Sequence, residues 1–288
     1  MTYAAHPEDI LRFACARDDV CLGVITRVTG GAMRPEGALF AVTESGGMAG
    51  YVSNGCVDAD IIAQARAALA DGERRDLIYG EGSPFFDIVL PCGGAIALTL
   101  IPGPDRDIMS QGLAGLINRE AVTLDLGLGS PCVYHPRLRL RISGRGAALI
   151  ALARLATESG FLVDAGSPDI ELKMPLGDIA FTHLNGTSLP GRGDDKWTAH
   201  VMLFHDHDYE LPLLKAALGG PAFFIGAMGS RQTQAARRER LAELGISAAQ
   251  IDRVRGPVGL IPSLRDARQL GVSILAQIIQ TAQDGDLL

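Results

Sequence analysis

The sequence predicts an α/β protein with two domains. A length of 288 residues is enough for two ordinary domains, and 47% hydrophobic against 20% charged residues allows a substantial core. In the second half, apolar strands alternate with helices, which is typical of a parallel sheet with crossover helices. We therefore expect an N-terminal α/β domain in residues 1–126, a linker at 127–136, and a Rossmann-like parallel-sheet domain in residues 137–288.

The N-terminal domain is predicted to combine short strands with three helices. Apolar and partly β-branched runs predict the strands, and loops with glycine or proline separate them. The strands are expected at 20–28, 39–43, 48–52, 75–79, 85–90, 95–101 and 121–126. The helices are expected at 6–18, from about Cys56 to Asp71-Gly72, and at 108–118.

The C-terminal domain is predicted to begin with a strand–helix–strand unit. Its strands are expected at 138–142, from 160 onward, at 200–204 and at 222–225. Its helices are expected at 147–159, 210–218, 232–244 and 264–283. The sequence assigns no role to the turn at 256–260.

Charge and composition exclude several classes of protein. The net charge of −7 argues against a general nucleic-acid binder, which needs a basic surface for phosphates. No apolar run approaches the roughly 20 residues of a membrane span, and a signal-peptide pattern is missing, so a cytoplasmic protein is expected. The five cysteines are odd in number and widely spaced, which favours reduced thiols over a disulfide framework or structural zinc.

The most informative stretch is Tyr51 to Asp60, which reads YVSNGCVDAD. It predicts a strand, a Ser-Asn-Gly turn and a helix that begins at about Cys56. A thiol in the first helical turn lies near unpaired N–H groups and the positive end of the helix dipole, which lowers its pKa. Such a thiol is a good nucleophile or metal ligand. The alternative is a purely structural role, in which Cys56 is a small apolar residue packed at a strand–helix junction.

A second thiol, Cys92, lies in the predicted turn Pro91-Cys92-Gly93-Gly94. Glycine-rich turns let the backbone approach a ligand closely. The N-terminal domain is therefore expected to present two glycine-flanked cysteines on turns.

In the C-terminal domain, Ser143-Gly144-Arg145-Gly146 opens a helix in the layout that places a phosphate at the helix N-terminus. The GxGxxG fingerprint is incomplete, because Leu149 occupies the third glycine position. The acidic residue after the second strand is also uncertain, since Asp164 comes early and Ser167 can hold the position. A Rossmann-like scaffold that binds no dinucleotide is therefore an alternative interpretation.

His205-Asp206-His207-Asp208 follows the next predicted strand. His205 and His207 are two residues apart, so they can share a metal on one strand face. Alternatively, the segment faces the ligand crevice at the strand ends, or it caps the following helix.

Gly226-Ala227-Met228-Gly229-Ser230-Arg231 follows a further strand. Ser230 is predicted to cap the next helix. Its hydroxyl, the two flanking glycines and Arg231 would together suit a phosphate or another anion. Further along that helix, a solvated face is predicted for Arg237, Arg238 and Arg240.

Taken in order, these segments resemble the XdhC/CoxI family, the accessory proteins of xanthine dehydrogenase and related molybdenum hydroxylases. Residues 53–58 resemble its SGGCLE-type motif, 92–94 its second motif and 34–38 its RxPGA-like loop. Residues 205–208 and 226–231 resemble the THDH and GxxGSR segments. Residues 257–260 and 273–276 match the PIGL and SILAE segments.

The resemblance implies an N-terminal α/β domain, a Rossmann-like C-terminal domain and a role in handling molybdenum cofactor. Family members bind the cofactor, protect it, and support its sulfuration and insertion into an apo-enzyme. The implied partners are a xanthine-dehydrogenase-type molybdoenzyme and a cysteine desulfurase. A soft thiolate suits a metal that already has sulfur ligands, and a glycine-rich helix start suits the pterin phosphate.

The resulting prediction is a molybdenum-cofactor-binding chaperone without turnover of its own, expected to be a homodimer. Cys56 and Cys92 are the expected molybdenum contacts. The expected cofactor-binding residues are Asn54, Gly55, Cys56, Asp58, Cys92, Gly93, Gly94, Gly144, Gly146, His205, Asp206, His207, Gly229, Ser230 and Arg231. Two alternatives remain: an NAD(P)-dependent oxidoreductase on the Rossmann-like domain, and a metal-dependent hydrolase using the 205–207 segment.

Overall fold

A computed structural model describes residues 5–53, 55, 57–80, 94–184, 193–204 and 207–288, without the side chains of residues 207 and 208. The chain divides into two compact units, residues 1–136 and 137–288. In the described part of the chain, none of the helices is both long enough and apolar enough to span a bilayer.

The first unit contains an antiparallel sheet in the order β3-β2-β1-β5-β4. The bounds of its strands are β1 Val20–Thr29, β2 Leu39–Thr43, β3 Met48–Ala49, β4 Arg75–Gly80 and β5 Ala95–Pro102. Its helices are α1 Pro7–Cys15, α2 Asp58–Asp71 and α3 Arg106–Ile117. The predicted strand at 85–90 lies outside the described residues.

Successive residues of β1 pack into two different cores, as expected for a strand buried on both faces. Cys21 and Ile25 belong to the core that includes the apolar face of α2. Leu22 and Val24 belong to the core built with α1 and α3. The sheet is therefore covered by helices on both faces.

A short antiparallel ribbon completes the first unit, formed by β6 Val122–Leu124 and β7 Cys132–Tyr134. β7 lies inside the segment 127–136 that was predicted as a linker. Tyr134 is buried, and its hydroxyl donates a hydrogen bond to the Gly37 carbonyl at 3.0 Å. Burial, followed by the neighbouring Cys132, raises the pKa of Tyr134.

Helix α2 begins two residues later than predicted and ends where predicted. Its N-cap is Val57 and its first residue is Asp58, because the Asp58 side chain folds back onto the preceding turn. Its C-cap is Gly72 in the left-handed conformation, with φ of 74°, which glycine adopts without steric cost.

The second unit contains a parallel sheet in the order β10-β9-β8-β11-β12-β13. This is the 3-2-1-4-5-6 order of the doubly wound fold and confirms the predicted Rossmann-like architecture. The order reverses between β8 and β11, the topological switch point. The strands are β8 Arg139–Gly144, β9 Leu162–Ser167, β10 Ala180–His183, β11 Thr198–Leu203, β12 Phe224–Ala227 and β13 Val254–Arg255.

Helices cover both faces of this sheet. One core joins the sheet to α4 and α9, and the other joins it to α6 and α7. The helices are α4 Gly146–Glu158, α5 Lys173–Leu176, α6 His207–Leu218, α7 Arg231–Glu243, α8 Ala248–Ile251 and α9 Ala267–Asp284. Strands β10 and β13 were missed because they are short edge strands with weak patterns.

The turn at 256–260, which had no predicted role, connects the sheet to α9. The Val258 N–H donates to the Ala227 carbonyl at 3.1 Å, at the end of β12. The Gly259 N–H donates to the Gln277 side chain at 2.7 Å, and the Ile261 N–H donates to the Ser273 hydroxyl at 2.8 Å. The backbone of this turn is therefore held by side chains of α9.

Gly259→Ala is expected to destabilise the fold by about 2–4 kcal/mol, since a strained backbone and a steric clash both contribute. Gly259 has φ of +111°, and a Cβ atom there would lie 2.9 Å from Ser273 Oγ. Gly245→Ala is the control, because Gly245 has φ of +78° but no atom of the described residues within 4 Å of its Cβ position. Urea unfolding measures both, and an equal loss in the two variants would contradict the packing role.

Candidate functional site

The predicted site residues divide between the two units, and the structure describes only some of them. Asn54, Cys56, Cys92, Gly93, His205 and Asp206 lie outside the described residues, and for His207 only the backbone is described. The described ones are Gly55, Asp58 and Gly94 in the first unit, and Gly144, Gly146, Gly229, Ser230 and Arg231 in the second.

In the first unit, Asp58 organises the turn that precedes α2. Its Oδ1 accepts hydrogen bonds from the N–H groups of Val52 and Ser53, at 3.2 and 3.1 Å. Its Oδ2 accepts from the Ser53 hydroxyl at 3.2 Å and from the Gly55 N–H at 3.0 Å. The Ser53 hydroxyl in turn accepts from the Val57 N–H at 3.2 Å. The turn therefore closes around one buried carboxylate.

This arrangement changes the electrostatics expected for the turn. The prediction placed unpaired N–H groups beside a thiol, but the Gly55 and Val57 N–H groups donate to the Asp58 and Ser53 side chains. The anion at this helix start is the protein's own carboxylate, and Asp58 is only 5% exposed. Gly55 has φ of +98°, and none of the described residues brings an atom within 4 Å of its Cβ position.

Arg34 links a second predicted segment to this turn. Its guanidinium lies 4.8 Å from the centre of the Tyr51 ring and donates to the Tyr51 carbonyl at 3.4 Å. It also donates to the Ala5 carbonyl at 2.8 Å. Arg34 is buried, and this burial lowers its pKa. The sequence marked this arginine only as part of the family-like segment 34–38, and its role became visible in the structure.

Gly94 lies against the other end of the same loop. A Cβ atom at Gly94 would lie 2.7 Å from the Gly31 carbonyl oxygen and 2.8 Å from that of Thr29. A side chain is therefore excluded at this position. The loop at 30–37 thus contacts both Gly94, two residues after Cys92 in the sequence, and Tyr51, five residues before Cys56.

The described cysteines are free thiols, at Cys15, Cys21 and Cys132. Burial raises the pKa of Cys15, and it raises the pKa of Cys21 to about 12. A thiol with a raised pKa is a poor nucleophile and metal ligand at neutral pH. Cys15 and Cys21 therefore act as packing residues.

In the second unit, the predicted segments follow adjacent strands at the carboxyl edge of the sheet. Gly144 ends β8 and Gly146 begins α4, α6 begins after β11, and Gly229 to Arg231 follow β12. A Cβ atom at Gly144 would lie 2.6 Å from the Leu203 carbonyl oxygen, and Gly146 has φ of +69°. Gly144 is therefore required because the Leu203 backbone comes so close, and Gly146 because the turn at the switch point has a positive φ.

The acidic residue that follows β9 is Asp169, two positions beyond the predicted Ser167. Its carboxylate forms an ion pair with Arg145 of the glycine-rich loop, and its N–H donates to the Ser167 hydroxyl at 3.1 Å. The Arg145 guanidinium also lies 5.5 Å from the centre of the Tyr209 ring of α6. Leu149, at the third glycine position, is fully buried in the core.

Ser230 is the N-cap of α7, which confirms its predicted structural role. Its hydroxyl oxygen accepts a hydrogen bond from the Thr233 N–H at 3.0 Å. Gly229, Ser230 and Arg231 are exposed at this helix start.

The prediction of a solvated face on α7 was wrong for Arg237. Its side chain is 1% exposed and binds Glu210 of α6, which is also 1% exposed. Arg238, the next residue, is 44% exposed and pairs with Asp252 at the surface. Side chains one residue apart point in different directions on a helix, so adjacent arginines reach different environments.

A second buried network, on β8 and β11, was missed entirely. Arg141 Nη1 lies 3.3 Å from Asp194 Oδ1, and His200 Nε2 lies 2.8 Å from Asp194 Oδ2. Arg139 pairs with Asp195 at 3.2 Å and donates to the Gly193 carbonyl at 2.8 Å. The sequence did contain a signal for this network, because the charged residues 139 and 141 alternate with apolar residues within a strand of the predicted parallel sheet.

The described residues give no support to a metal-dependent hydrolase. Among them, no three or more His, Cys, Asp and Glu side chains are grouped so that they could hold a metal ion. The proposed ligands His205 and Asp206 lie outside that part of the chain.

Comparison with known proteins agrees with this architecture. Residues 140–278 match the model of the XdhC Rossmann domain, and residues 14–80 match the model of the XdhC and CoxI family. The molybdenum cofactor insertion chaperone PaoD of Escherichia coli (strain K12) is 34% identical over 296 aligned positions, covering 93% of this chain and 86% of PaoD.

A solved structure described as a xanthine dehydrogenase from Bacillus halodurans has a TM-score of 0.79, covering 97% of this chain and 96% of that one. Its sequence identity is 20%, so this likeness concerns the fold alone. The two family models and the extended identity to PaoD establish that this chain belongs to the XdhC and CoxI family.

Proposed function

We propose that this chain is a molybdenum cofactor chaperone, which binds the cofactor as cargo and releases it into a molybdoenzyme. Family membership and the 34% identity to a molybdenum cofactor insertion chaperone support this role. We further propose that the protein has no turnover of its own.

The observation that carries the proposal is the construction of the Asp58 turn. Hydrogen bonds fix Gly55 and Val57, the residues on either side of Cys56, while no atom of the described residues lies within 4 Å of the Gly55 Cβ position. The loop at 30–37 contacts Tyr51 through Arg34 and contacts Gly94, which is two residues after Cys92 in the sequence. We therefore propose Cys56 and Cys92 as the molybdenum contacts, since soft thiolates suit a metal that already has sulfur ligands. Asn54, Gly55, Gly93 and Gly94 would line this site.

For the second unit, we propose that the carboxyl edge of the sheet binds the anionic end of the cargo. Open α/β sheets bind ligands at the switch point, where glycine-rich turns let the backbone approach a phosphate. The contributing residues would be Gly144, Gly146, His205, Asp206, His207, Gly229, Ser230 and Arg231.

Three finer parts of the proposal concern partners. A xanthine-dehydrogenase-type apo-enzyme would receive the cofactor, and a cysteine desulfurase would supply sulfur while the cofactor is bound. The chain would act as a homodimer, the commonest assembly of soluble oligomers. Co-purification with the apo-enzyme and with the desulfurase tests these partners.

Cys56→Ala is expected to weaken retention of molybdenum cofactor by about tenfold, because a metal contact is lost. The measurement is gel filtration of the protein mixed with cofactor, followed by fluorescence of the oxidised pterin in the protein fraction. Cys132→Ala is the matched control, since it removes a half-buried thiol from the β6–β7 ribbon. Undiminished retention by a Cys56→Ala, Cys92→Ala double variant would refute the thiol contacts.

The oxidoreductase alternative rests on the strand–helix–strand unit of the second domain. Two observations favour a scaffold that does not use NAD(P): Leu149 is buried where the fingerprint has glycine, and Arg145 already pairs with Asp169. Thermal melting with NAD or NADP discriminates the readings, because a cofactor that binds the native state raises the melting temperature.

A further inference from the structure

The buried pair of Glu210 and Arg237 is not among the residues proposed to contact the cofactor. Arg237 Nε donates to Glu210 Oε2 at 3.0 Å, and Nη2 donates to Oε1 at 2.8 Å. This bidentate geometry matches the planar guanidinium to the carboxylate. Each side chain is 1% exposed, so the pair is removed from solvent.

Each member of the pair lies close to a segment that we propose as part of the site in the second unit. Glu210 is in the first turn of α6, three residues after His207. Arg237 Nη2 also donates to the Met228 carbonyl at 2.6 Å, in the segment between β12 and α7. The Met228 N–H donates to the Met202 carbonyl of β11 at 2.9 Å. Both backbone groups of Met228 are therefore held.

The surroundings of Arg237 extend this connection to the next strand. Arg237 Nη1 donates to the Gln234 side-chain oxygen, and Gln234 Nε2 donates to the Val254 carbonyl of β13 at 3.2 Å. A Cβ atom at Gly256 would lie 2.2 Å from Gln234 Oε1, so glycine leaves the necessary space. One arginine thus connects α6, α7 and the strand ends that flank them.

Stability alone does not explain this arrangement. The cost of desolvating a buried ion pair can equal its attraction, and replacing both members with apolar residues of similar size is often neutral. A guanidinium that binds a carboxylate and a backbone carbonyl at once does specify the position of each. Lysine cannot reproduce this, because it is a point charge without a planar fork.

We propose that Arg237 and Glu210 are positioning residues that hold the first turn of α6 and the segment after β12 in the geometry that binds the anionic end of the cargo. This inference rests on the proposed function. It assigns the pair no contact with the cofactor.

The test compares three full-length variants with the native chain. Glu210→Met with Arg237→Met removes the pair without leaving a buried charge, so the melting temperature should stay within about 5 °C. Retention of molybdenum cofactor should nevertheless fall by about tenfold or more, as is typical when supporting partners of a binding site are lost. Arg238→Met removes the adjacent surface pair with Asp252 and should retain the cofactor normally. Arg237→Lys keeps the charge and should also lose retention.

Hydrogen exchange of the 205–216 and 224–233 peptides provides a readout that does not need cofactor. Both peptides should exchange faster in the double variant and in Arg237→Lys, while the α9 peptide stays unchanged. If the double variant does not fold, Arg237→Lys decides by the same two measurements. If the native chain does not retain cofactor, the proposed function fails, and exchange alone decides the positioning role. Normal retention, or unchanged exchange in both peptides, would overturn the inference.

Discussion

Asp194→Asn is expected to lower the free energy of unfolding by about 3–5 kcal/mol at neutral pH, because it leaves Arg141 with a weakened counter-charge in the interior. Arg141 is 1% exposed, and the nearest other carboxylate oxygen, on Asp164, is 3.7 Å from its Nε. His200 would also lose its charged partner. Urea unfolding measures the loss.

The same variant has a defined pH dependence. Burial opposes ionisation of Asp194, but the hydrogen bond from His200 and the charges of His200, Arg141 and Arg139 outweigh it and lower the pKa of Asp194. A folded-state pKa below the unfolded value of about 3.9 stabilises the protein above that value, and this stability is lost as the pH falls through the folded pKa. The difference between native chain and variant should therefore shrink below about pH 4.

The control for this prediction is Asp252→Asn. Asp252 is 65% exposed and pairs with Arg238 at the surface, so its loss should cost about 0–1 kcal/mol. A similar cost for the two variants, or a difference that grows towards low pH, would show that the Asp194 network does not stabilise the fold.

Asp58→Ala is expected to cost about 3 kcal/mol and to weaken retention of molybdenum cofactor as well. The carboxylate accepts hydrogen bonds from the N–H groups of Val52, Ser53 and Gly55, and alanine leaves these buried or half-buried donors unpaired. Because the same bonds hold the residue before Cys56, the proposed thiol contact should lose its fixed position. Urea unfolding and the cofactor retention assay measure the two effects.

Asp107→Ala is the matched control, since Asp107 is also an acidic residue in a first helical turn but is exposed. Its loss should cost about 0.3–1 kcal/mol through the helix dipole alone. If Asp58→Ala cost no more than this, the carboxylate would not organise the turn. If Asp58→Ala were destabilised but retained the cofactor normally, the geometry of the turn would not be needed for cofactor binding.

Elements with a strong local signal were predicted from the sequence. Strand β2 has the predicted bounds 39–43, and α2 ends at the predicted Asp71-Gly72. The alternation of strands and helices also predicted the parallel sheet. These features depend on periodicity and on backbone conformations that glycine alone adopts easily, so neighbouring residues are sufficient to specify them.

Side-chain partners were much harder to predict, because they depend on which distant segments meet. Arg237 and Arg238 are adjacent and of the same type, yet only Arg237 is buried. Its partner is Glu210, 27 residues earlier in the sequence, whereas Arg238 pairs with Asp252 at the surface. Arg141 of β8 likewise pairs with Asp194, which lies far along the chain, just before β11. Even for Asp58, a local case, the sequence did not show that its carboxylate accepts hydrogen bonds from the turn before it, because this role depends on how the turn closes.

The Cys56 turn shows the same division of information. The sequence by itself determined that a thiol follows a Ser-Asn-Gly turn, that Gly55 permits a positive φ there, and that a helix comes next. Only the tertiary structure decided where the polar groups of the turn go, because hydrogen-bond geometry exists only after the chain has closed. In the folded chain, Asp58 accepts from the Gly55 N–H and Ser53 from the Val57 N–H, on either side of Cys56, and Arg34 links Tyr51 to the loop that contacts Gly94.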